Sequence, residues 1–269
     1  TIKQTPEVIR SQANEVVEDA ARDNIHYFEL RFTPMALAKT KGFHLHDVTH
    51  WVLLAVQEAR QVFPQMHVEL IASINRHESL EIAEKVAQIA VDHKEDIVGL
   101  DLAGDEANYS PEPFVALFQE ARRAGLGITA HAGEWSGSAT VRHAIERLGA
   151  ERVGHGVRIV EDEAVVTLAR EHGTVFEVCV TSNVQSGVVR RLADHRLPAM
   201  LQHGLKATVN TDDPGISAIT LTDEYETAVT ALGLSPEQMK AAILTAAQSA
   251  FLPAPEKHTL IAHFQAALA

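Results

Sequence analysis

Apolar positions along the chain fall into two patterns that alternate from end to end. One pattern is a short, nearly continuous apolar run, which is typical of strands buried on both faces of a parallel sheet. Such runs predict strands at 25–32, 67–74, 97–103, 126–132, 152–156, 174–180 and 205–210. The other pattern repeats every three or four residues and predicts amphipathic helices. The clearest of these lie at 79–94, 111–125, 140–149 and 162–173, and the last three end in glycine, a common helix stop signal.

The order of these elements predicts an α/β fold with a (β/α)8 TIM-type barrel. No linker rich in Pro, Gly or Ser divides the chain, so we expect a single domain over residues 1–269. A further helix is predicted at 6–24, before the first strand. Because each helix of such a barrel follows a strand, we expect the first of the eight strands to be missing from this chain. The alternative, an open doubly wound sheet, lacks its glycine-rich phosphate turn.

Composition and charge limit the possible partners. The chain has 269 residues, 46% of them hydrophobic, and a formal net charge of −13. This charge argues against binding nucleic acid or an anionic membrane, and no apolar run approaches the roughly 20 residues of a membrane span. The single Cys179 excludes an internal disulfide and a thiolate-rich zinc cluster. The acidic balance and lone thiol favour a cytoplasmic location, and the opening TIKQTPEVIR, without Met or signal peptide, predicts an N-terminally truncated chain.

Imidazoles and carboxylates follow several of the predicted strands. They are His131 and Glu134 in HAGE, His155 in GHG, and Asp212 and Asp213 in NTDDP. Barrel active sites lie where strands end, and two adjacent carboxylates at the end of a buried strand repel each other. A divalent cation offsets that repulsion. The set therefore predicts a metal site with acid–base groups.

Each of these residues also has a structural interpretation. His155 can cap a backbone carbonyl in a tight turn, and the Asp-Asp-Pro sequence can cap the next helix. Glu134 can interact with a helix dipole from the first turn. These interpretations do not explain why successive strand ends carry the same residue types. The joint pattern favours a functional site.

Motifs along the chain resemble the adenosine deaminase family of metal-dependent barrel hydrolases. They are FELRFTP, GLDLAGDE, TAHAGE, ERVGHGVRI, CVTSNVQSG and VNTDDP. The resemblance covers essentially the whole chain. It implies zinc-dependent hydrolytic deamination of adenosine and 2′-deoxyadenosine to inosine and ammonia, by attack of metal-bound hydroxide on purine C6, with one Zn2+ per chain.

The resemblance also implies a role for individual residues. His131 and Asp212 would be zinc ligands, and Glu134 would donate a proton to purine N1. His155 would orient and help deprotonate the metal-bound water. Asp213 would contact purine N7, and the Gly104 amide would contact N3. Ser182 and Asn183 are expected either to contact Asp212 or His155 or to make only turn hydrogen bonds.

The chain departs from the family pattern at the first strand, where two further histidine ligands in a His-x-His pair are expected. A pair of this form, His44 and His46, lies after the second-strand motif. We expect it to be a solvated loop that precedes a helix at 47–60. Six further histidines in predicted helices and loops are expected to be structural: His26, His50, His77, His143, His195 and His203. The two missing ligands are therefore expected from the absent first strand.

Several related functions stay open. Adenine deaminase and aminodeoxyfutalosine deaminase share the metal, acid and base positions, whereas AMP deaminase would need a basic cluster for the phosphate. A non-catalytic purine-binding barrel would not need a proton donor beside a metal. The H-x-E…C-x-x-C deaminase architecture needs more than one cysteine. We expect a small-molecule purine nucleoside as the partner, with no nucleic acid and no membrane; the sequence carries no signal for the oligomeric state.

Overall fold

The structure is a computed structural model that describes residues 5–269. The first four residues of the predicted domain lie outside this range. The described chain divides into two compact units. The first unit runs to Asp105 and includes Ala116–Gly127, and the second unit consists of Glu106–Val115 with Ile128–Ala269.

The first unit contains three parallel strands, β1 (Tyr27–Phe32), β2 (His67–Asn75) and β3 (Ile97–Ala103). Residues 68–74 of β2 are all buried, as expected for a strand covered on both faces. Its helices are α1 (Pro6–Arg22), α2 (Pro34–Lys39), α3 (Leu45–Val62), α4 (Leu80–Asp92) and α5 (Val115–Arg123), of which Val115 belongs to the second unit. Helix α1 packs against α3, and α4 packs against β2 and β3.

The second unit contains four parallel strands that pair in chain order. They are β4 (Gly127–Ala132), of which Gly127 belongs to the first unit, β5 (Arg152–His155), β6 (Val175–Val178) and β7 (Lys206–Val209). Its helices are α6 (Ser138–His143), α7 (Glu163–His172), α8 (Val180–Gln185), α9 (Leu197–Gln202), α10 (Pro214–Ser217), α11 (Leu221–Thr230), α12 (Pro236–Ser249) and α13 (Ala254–Ala267). Because neighbouring parallel strands run the same way, their carboxyl ends lie at one edge of this sheet.

Short helical turns complete the described elements. A π-helical turn at Ala144–Leu148 continues α6, and 3-10 turns lie at Glu112–Phe114, Ile159–Glu161 and Leu192–Asp194. Local capping explains several boundaries. At α1, the Thr5 side chain accepts a hydrogen bond from the Val8 amide at 3.3 Å. At α7, Gly173 ends the helix in the left-handed conformation with φ 68°.

The seven predicted strands are confirmed to within three residues at each end, and so is the opening helix. The prediction of strand up to residue 180 is wrong at its end, because Val180 begins α8. The prediction of a loop at His44 and His46 is correct only for His44; His46 lies in the first turn of α3, and both are exposed.

The fold is α/β with parallel strands, whereas the eight-stranded single-domain barrel with a missing first strand stays a prediction. None of the helices in the part of the chain that the structure describes combines the length and apolar character needed to span a bilayer.

Candidate active site

The loop after β4 carries Glu134 and begins with a sharp turn at Gly133. The backbone of Gly133 has φ +63°, and a Cβ there would lie 2.5 Å from Val141 Cγ2, so only glycine fits. Glu134 lies between β4 and α6, which begins at Ser138. The interpretation of Glu134 as a first-turn helix residue is therefore wrong. Its side chain is 11% exposed and lies within the site described below.

His155 is at the centre of the site, at the end of β5. It is buried and has φ 60°, one of four non-glycine residues with positive φ among residues 5–269. Its Nε2 atom lies 3.6 Å from Glu134 Oε2 and 3.9 Å from Asp212 Oδ2. The ring centroids of His131 and His155 are 5.3 Å apart. The turn at β5 thus aims one imidazole nitrogen at two carboxylates.

Glycine at position 154 permits the close approach of His131. These two residues are opposite each other in the β4–β5 register. A Cβ on Gly154 would lie 3.3 Å from His131 Cγ, closer than most Cβ contacts. The first glycine of the GHG motif therefore leaves room for a neighbouring imidazole.

The two aspartates after β7 have different surroundings. Asp212 has φ 58°, and its Oδ2 accepts a hydrogen bond of 2.7 Å from Ser182 Oγ. Asp213 occupies the N-cap position of α10 but makes no side-chain cap hydrogen bond. Burial raises the pKa of the Asp213 carboxyl; the charge of Asp212 raises it further, and His131 lowers it. A strained backbone at His155 and Asp212 is typical of functional positions.

A chain of hydrogen bonds behind His155 includes a histidine that we expected to be structural. Asn183 Nδ2 lies 3.0 Å from His155 Nδ1, and Asn183 Oδ1 lies 3.4 Å from His195 Nε2. His195 Nδ1 accepts from the Leu197 amide at 3.1 Å, so its proton is on Nε2. The side-chain oxygen of Asn183 therefore accepts from His195 Nε2, and the side-chain NH2 group of Asn183 donates to His155 Nδ1. In this arrangement a neutral His155 carries its proton on Nε2, towards the two carboxylates.

Three further residues near the strand ends were missed from the sequence. Glu106 accepts hydrogen bonds from the loop that carries Glu134. Glu224 is fully buried and accepts from the Val180 and Thr181 amides at the start of α8. Cys179 is also buried, beside the site. The sequence signal for Glu106 was its place in the GLDLAGDE motif; Glu224 lies in an ordinary amphipathic helix and gave none.

Among residues 5–269, one group of side chains has distances compatible with a shared metal ion. It comprises His155, Cys179 and Asp212, whose nitrogen, sulfur and oxygen atoms all lie within 4.8 Å of one another. Ligands about 2.0–2.3 Å from a tetrahedral zinc ion are roughly 3.3–3.8 Å apart, so small side-chain adjustments would suffice. Nitrogen, sulfur and carboxylate oxygen are all zinc ligands. The donor types therefore fit a zinc ion, and His155 would take part only with its proton moved off Nε2, the nitrogen that faces Asp212.

The second unit thus brings together seven of the eight predicted site residues. They are His131, Glu134, His155, Ser182, Asn183, Asp212 and Asp213. Ser182 contacts Asp212 and Asn183 contacts His155, as in the first of the two alternatives given for them, and their part in the site stays a prediction. Gly104 follows β3 in the first unit, where φ +87° and tight contacts with His77, Asn75 and Arg76 disfavour a side chain. Its predicted contact with the purine stays a prediction.

Comparison with known proteins agrees with this site. The family model described as adenosine deaminase matches residues 1–267. An adenosine deaminase of Klebsiella pneumoniae (strain 342) is 42% identical over 255 residues, which cover 95% of this chain and 76% of that protein.

Two solved structures are similar over 98% of the chain. The adenine deaminase of Arthrobacter aurescens has a TM-score of 0.90 and 29% identity, with 80% of its own chain covered. A zinc-bound amidohydrolase from Burkhoderia ambifaria has a TM-score of 0.92 and 26% identity, with 74% covered.

Parallel α/β units with clustered imidazoles and carboxylates at the strand ends have the layout of an enzyme active site. With the family match over nearly its full length, the chain belongs to the adenosine deaminase family and is a hydrolytic deaminase.

Proposed function

We propose that this protein deaminates adenosine and 2′-deoxyadenosine hydrolytically at purine C6, with one zinc ion. The observation that carries the proposal is the position of His155 Nε2, 3.6 Å from Glu134 Oε2 and 3.9 Å from Asp212 Oδ2. The reaction needs a proton donor, an orienting imidazole and a metal ligand, and the proximity of these three side chains supports giving them those roles. The 42% identity to an adenosine deaminase supports adenosine as the substrate.

Zinc would be held by His131 and Asp212, and His155 and Cys179 lie within reach of the same position as Asp212. When bound, zinc supplies the Lewis acidity that makes water a usable nucleophile at neutral pH. The Ser182 hydroxyl fixes one Asp212 oxygen and leaves the other available. The two further histidine ligands expected from a strand before Thr1 stay a prediction.

Glu134 acts as the general acid. An aromatic carbon accepts water only when the adjacent ring nitrogen is protonated, so Glu134 donates a proton to N1 as water adds to C6. The C6 hydroxyl then returns a proton to Glu134 as C6 becomes a carbonyl. The other proton of the water passes to solvent as the water adds to C6, and the amino group takes up one proton from solvent as it leaves as ammonia, so the net gain is one proton on N1 and one on ammonia.

His155 orients the water and stabilises negative charge through its Nε2 proton. This role follows from the hydrogen bond between Asn183 Nδ2 and His155 Nδ1, which directs the proton of the neutral ring to Nε2. With that proton in place, His155 does not act as the base for the water that the resemblance implies. Asp213, whose pKa is raised by burial, is suited to share a proton with purine N7. Gly104 is proposed to contact N3 through its amide.

The test compares turnover of adenosine, 2′-deoxyadenosine and adenine by the wild type and by Glu134→Gln. We expect the nucleosides to be preferred and the variant to lose at least about 100-fold in kcat, because general acid catalysis contributes that much. Purine affinity should be retained. Glu146→Gln is the matched control, since Glu146 is exposed on the helical turn after α6. Full turnover in Glu134→Gln would remove the assigned acid, and preference for adenine would favour the activity named for the Arthrobacter aurescens neighbour.

A further inference from the structure

A single buried carboxylate contacts the whole loop that carries Glu134. Glu106 is 5% exposed and lies in the segment between β3 and α5. Its Oε1 atom accepts from the Gly133 amide at 2.7 Å and from Thr140 Oγ1 at 2.5 Å. Its Oε2 atom accepts from the amides of Glu134, Trp135 and Ser136 at 3.1, 2.7 and 3.0 Å.

Four successive backbone amides therefore converge on one side chain. Consecutive N–H groups that point inward form an anion-binding concavity, and here the anion is part of the protein. Hydrogen bonds to a charged acceptor are shorter and stronger than neutral ones. The five donors restrain the loop at every residue from Gly133 to Ser136.

Two backbone carbonyl groups of the same loop also accept hydrogen bonds, and both donors belong to Arg158. The Arg158 amide donates to Gly133 O at 2.9 Å, and Arg158 Nη1 donates to Trp135 O at 3.0 Å. Arg158 itself is paired with Glu161. The loop is thus fixed between a carboxylate and a guanidinium, and the Glu134 side chain extends from the middle of it.

We propose that Glu106 is a positioning residue that sets the place of Glu134 by binding the loop amides of residues 133–136. Glu106 makes its contacts with the backbone of the loop, so it acts through Glu134 rather than on the substrate. The kinetic part of this inference rests on the proposed function, because it takes Glu134 as the proton donor. The structural part does not.

Replacing Glu106 with Gln tests the proposal. A Gln side chain keeps one acceptor oxygen but turns an NH2 group towards backbone donors, so it can satisfy only one side of the concavity. We expect amide hydrogen exchange at residues 133–136 to accelerate at least tenfold, while exchange in α7 stays unchanged. Glu146→Gln is the control for the same chemical change at an exposed site. Unchanged exchange at 133–136 in Glu106→Gln would overturn the proposal.

The second readout is the division between kcat and KM. A proton donor that is misplaced by about 1 Å costs on the order of 100-fold in rate, so kcat of Glu106→Gln should fall 10- to 100-fold with KM changed far less. Glu106→Asp keeps the charge and should recover part of both the protection and kcat. An equal loss in kcat for Asp and Gln, with protection intact in Asp, would contradict positioning.

The two proposals fail in distinguishable ways. Accelerated exchange in Glu106→Gln together with a wild type that does not deaminate purines would remove the proposed function and leave the positioning role. If Glu106→Gln does not fold, amide exchange in Glu106→Asp and in Thr140→Val tests the proposal instead. The first change shortens the carboxylate side chain, and the second removes one hydrogen-bond donor to Glu106. If residues 133–136 are as well protected from amide exchange in both of these variants as in the wild type, the proposal is overturned.

Discussion

Removal of the buried His195 imidazole should change how stability depends on pH. Burial lowers the pKa of His195 from 6.5 to about 4. Between these values the unfolded chain binds a proton that the folded chain excludes. The contribution of His195 to the free energy of unfolding is therefore fully present above about pH 6.5 and is lost as the pH falls towards 4.

The magnitude follows from the two pKa values. Linkage with 6.5 in the unfolded chain and about 4 in the folded chain gives a loss of about 2 kcal/mol between pH 7 and pH 5. His195→Asn is a suitable change, because Asn Oδ1 can replace Nδ1 as the acceptor of the Leu197 amide. The variant cannot titrate, so this contribution disappears whatever the change does to stability at neutral pH.

The assay is urea unfolding at pH 7 and pH 5, followed by circular dichroism. The wild type should lose about 2 kcal/mol more of its free energy of unfolding between these two pH values than His195→Asn does. His46→Asn is the control, since it removes an imidazole that is exposed in the folded chain. If wild type and His195→Asn lose the same free energy on acidification, His195 is not the buried neutral histidine described above.

Two further changes test the geometry of the strand ends. A methyl group at Gly156, where φ is +65°, would lie 2.3 Å from Phe176 Cδ1, so Gly156→Ala should lower the free energy of unfolding by about 3 kcal/mol. Gly42→Ala has a similar φ of +66° and open space around the Cβ, and urea unfolding should give a loss of only about 1 kcal/mol; equal losses would contradict the packing at Phe176. Ser182→Ala removes the hydrogen bond to Asp212 and should weaken zinc binding about tenfold in a competition titration. Unchanged zinc affinity would exclude an orienting role for Ser182.

Much of the fold was predictable because parallel strands produce long apolar runs. Strand β2 is buried from 68 to 74, and its run was found within one residue of its observed ends. The end of β6 was harder to predict. Residues 179 and 180 continue the apolar pattern, yet the amides of Val180 and Thr181 are bound by Glu224, 43 or 44 residues further along the chain. No local signal reveals such a distant contact.

In the candidate site, too, some residues follow from local sequence patterns and others depend on contacts between distant parts of the chain. The clustering of five side chains was predictable, because parallel strands end at one edge of the sheet: His131, Glu134, His155, Asp212 and Asp213. His195 was not predictable, since its sequence context is that of a polar loop and only the fold brings it to Asn183. Residues that hold other residues in place have no pattern of their own along the chain.

The central claim is that the side chains of His131 and Asp212 bind one zinc ion at the strand ends of the second unit. Diffraction at the zinc absorption edge, from crystals of the chain grown with one equivalent of zinc, tests it most directly. We expect one anomalous peak within about 2.3 Å of a His131 ring nitrogen and an Asp212 carboxylate oxygen. A zinc ion held by His155, Cys179 and Asp212 without His131 would contradict it.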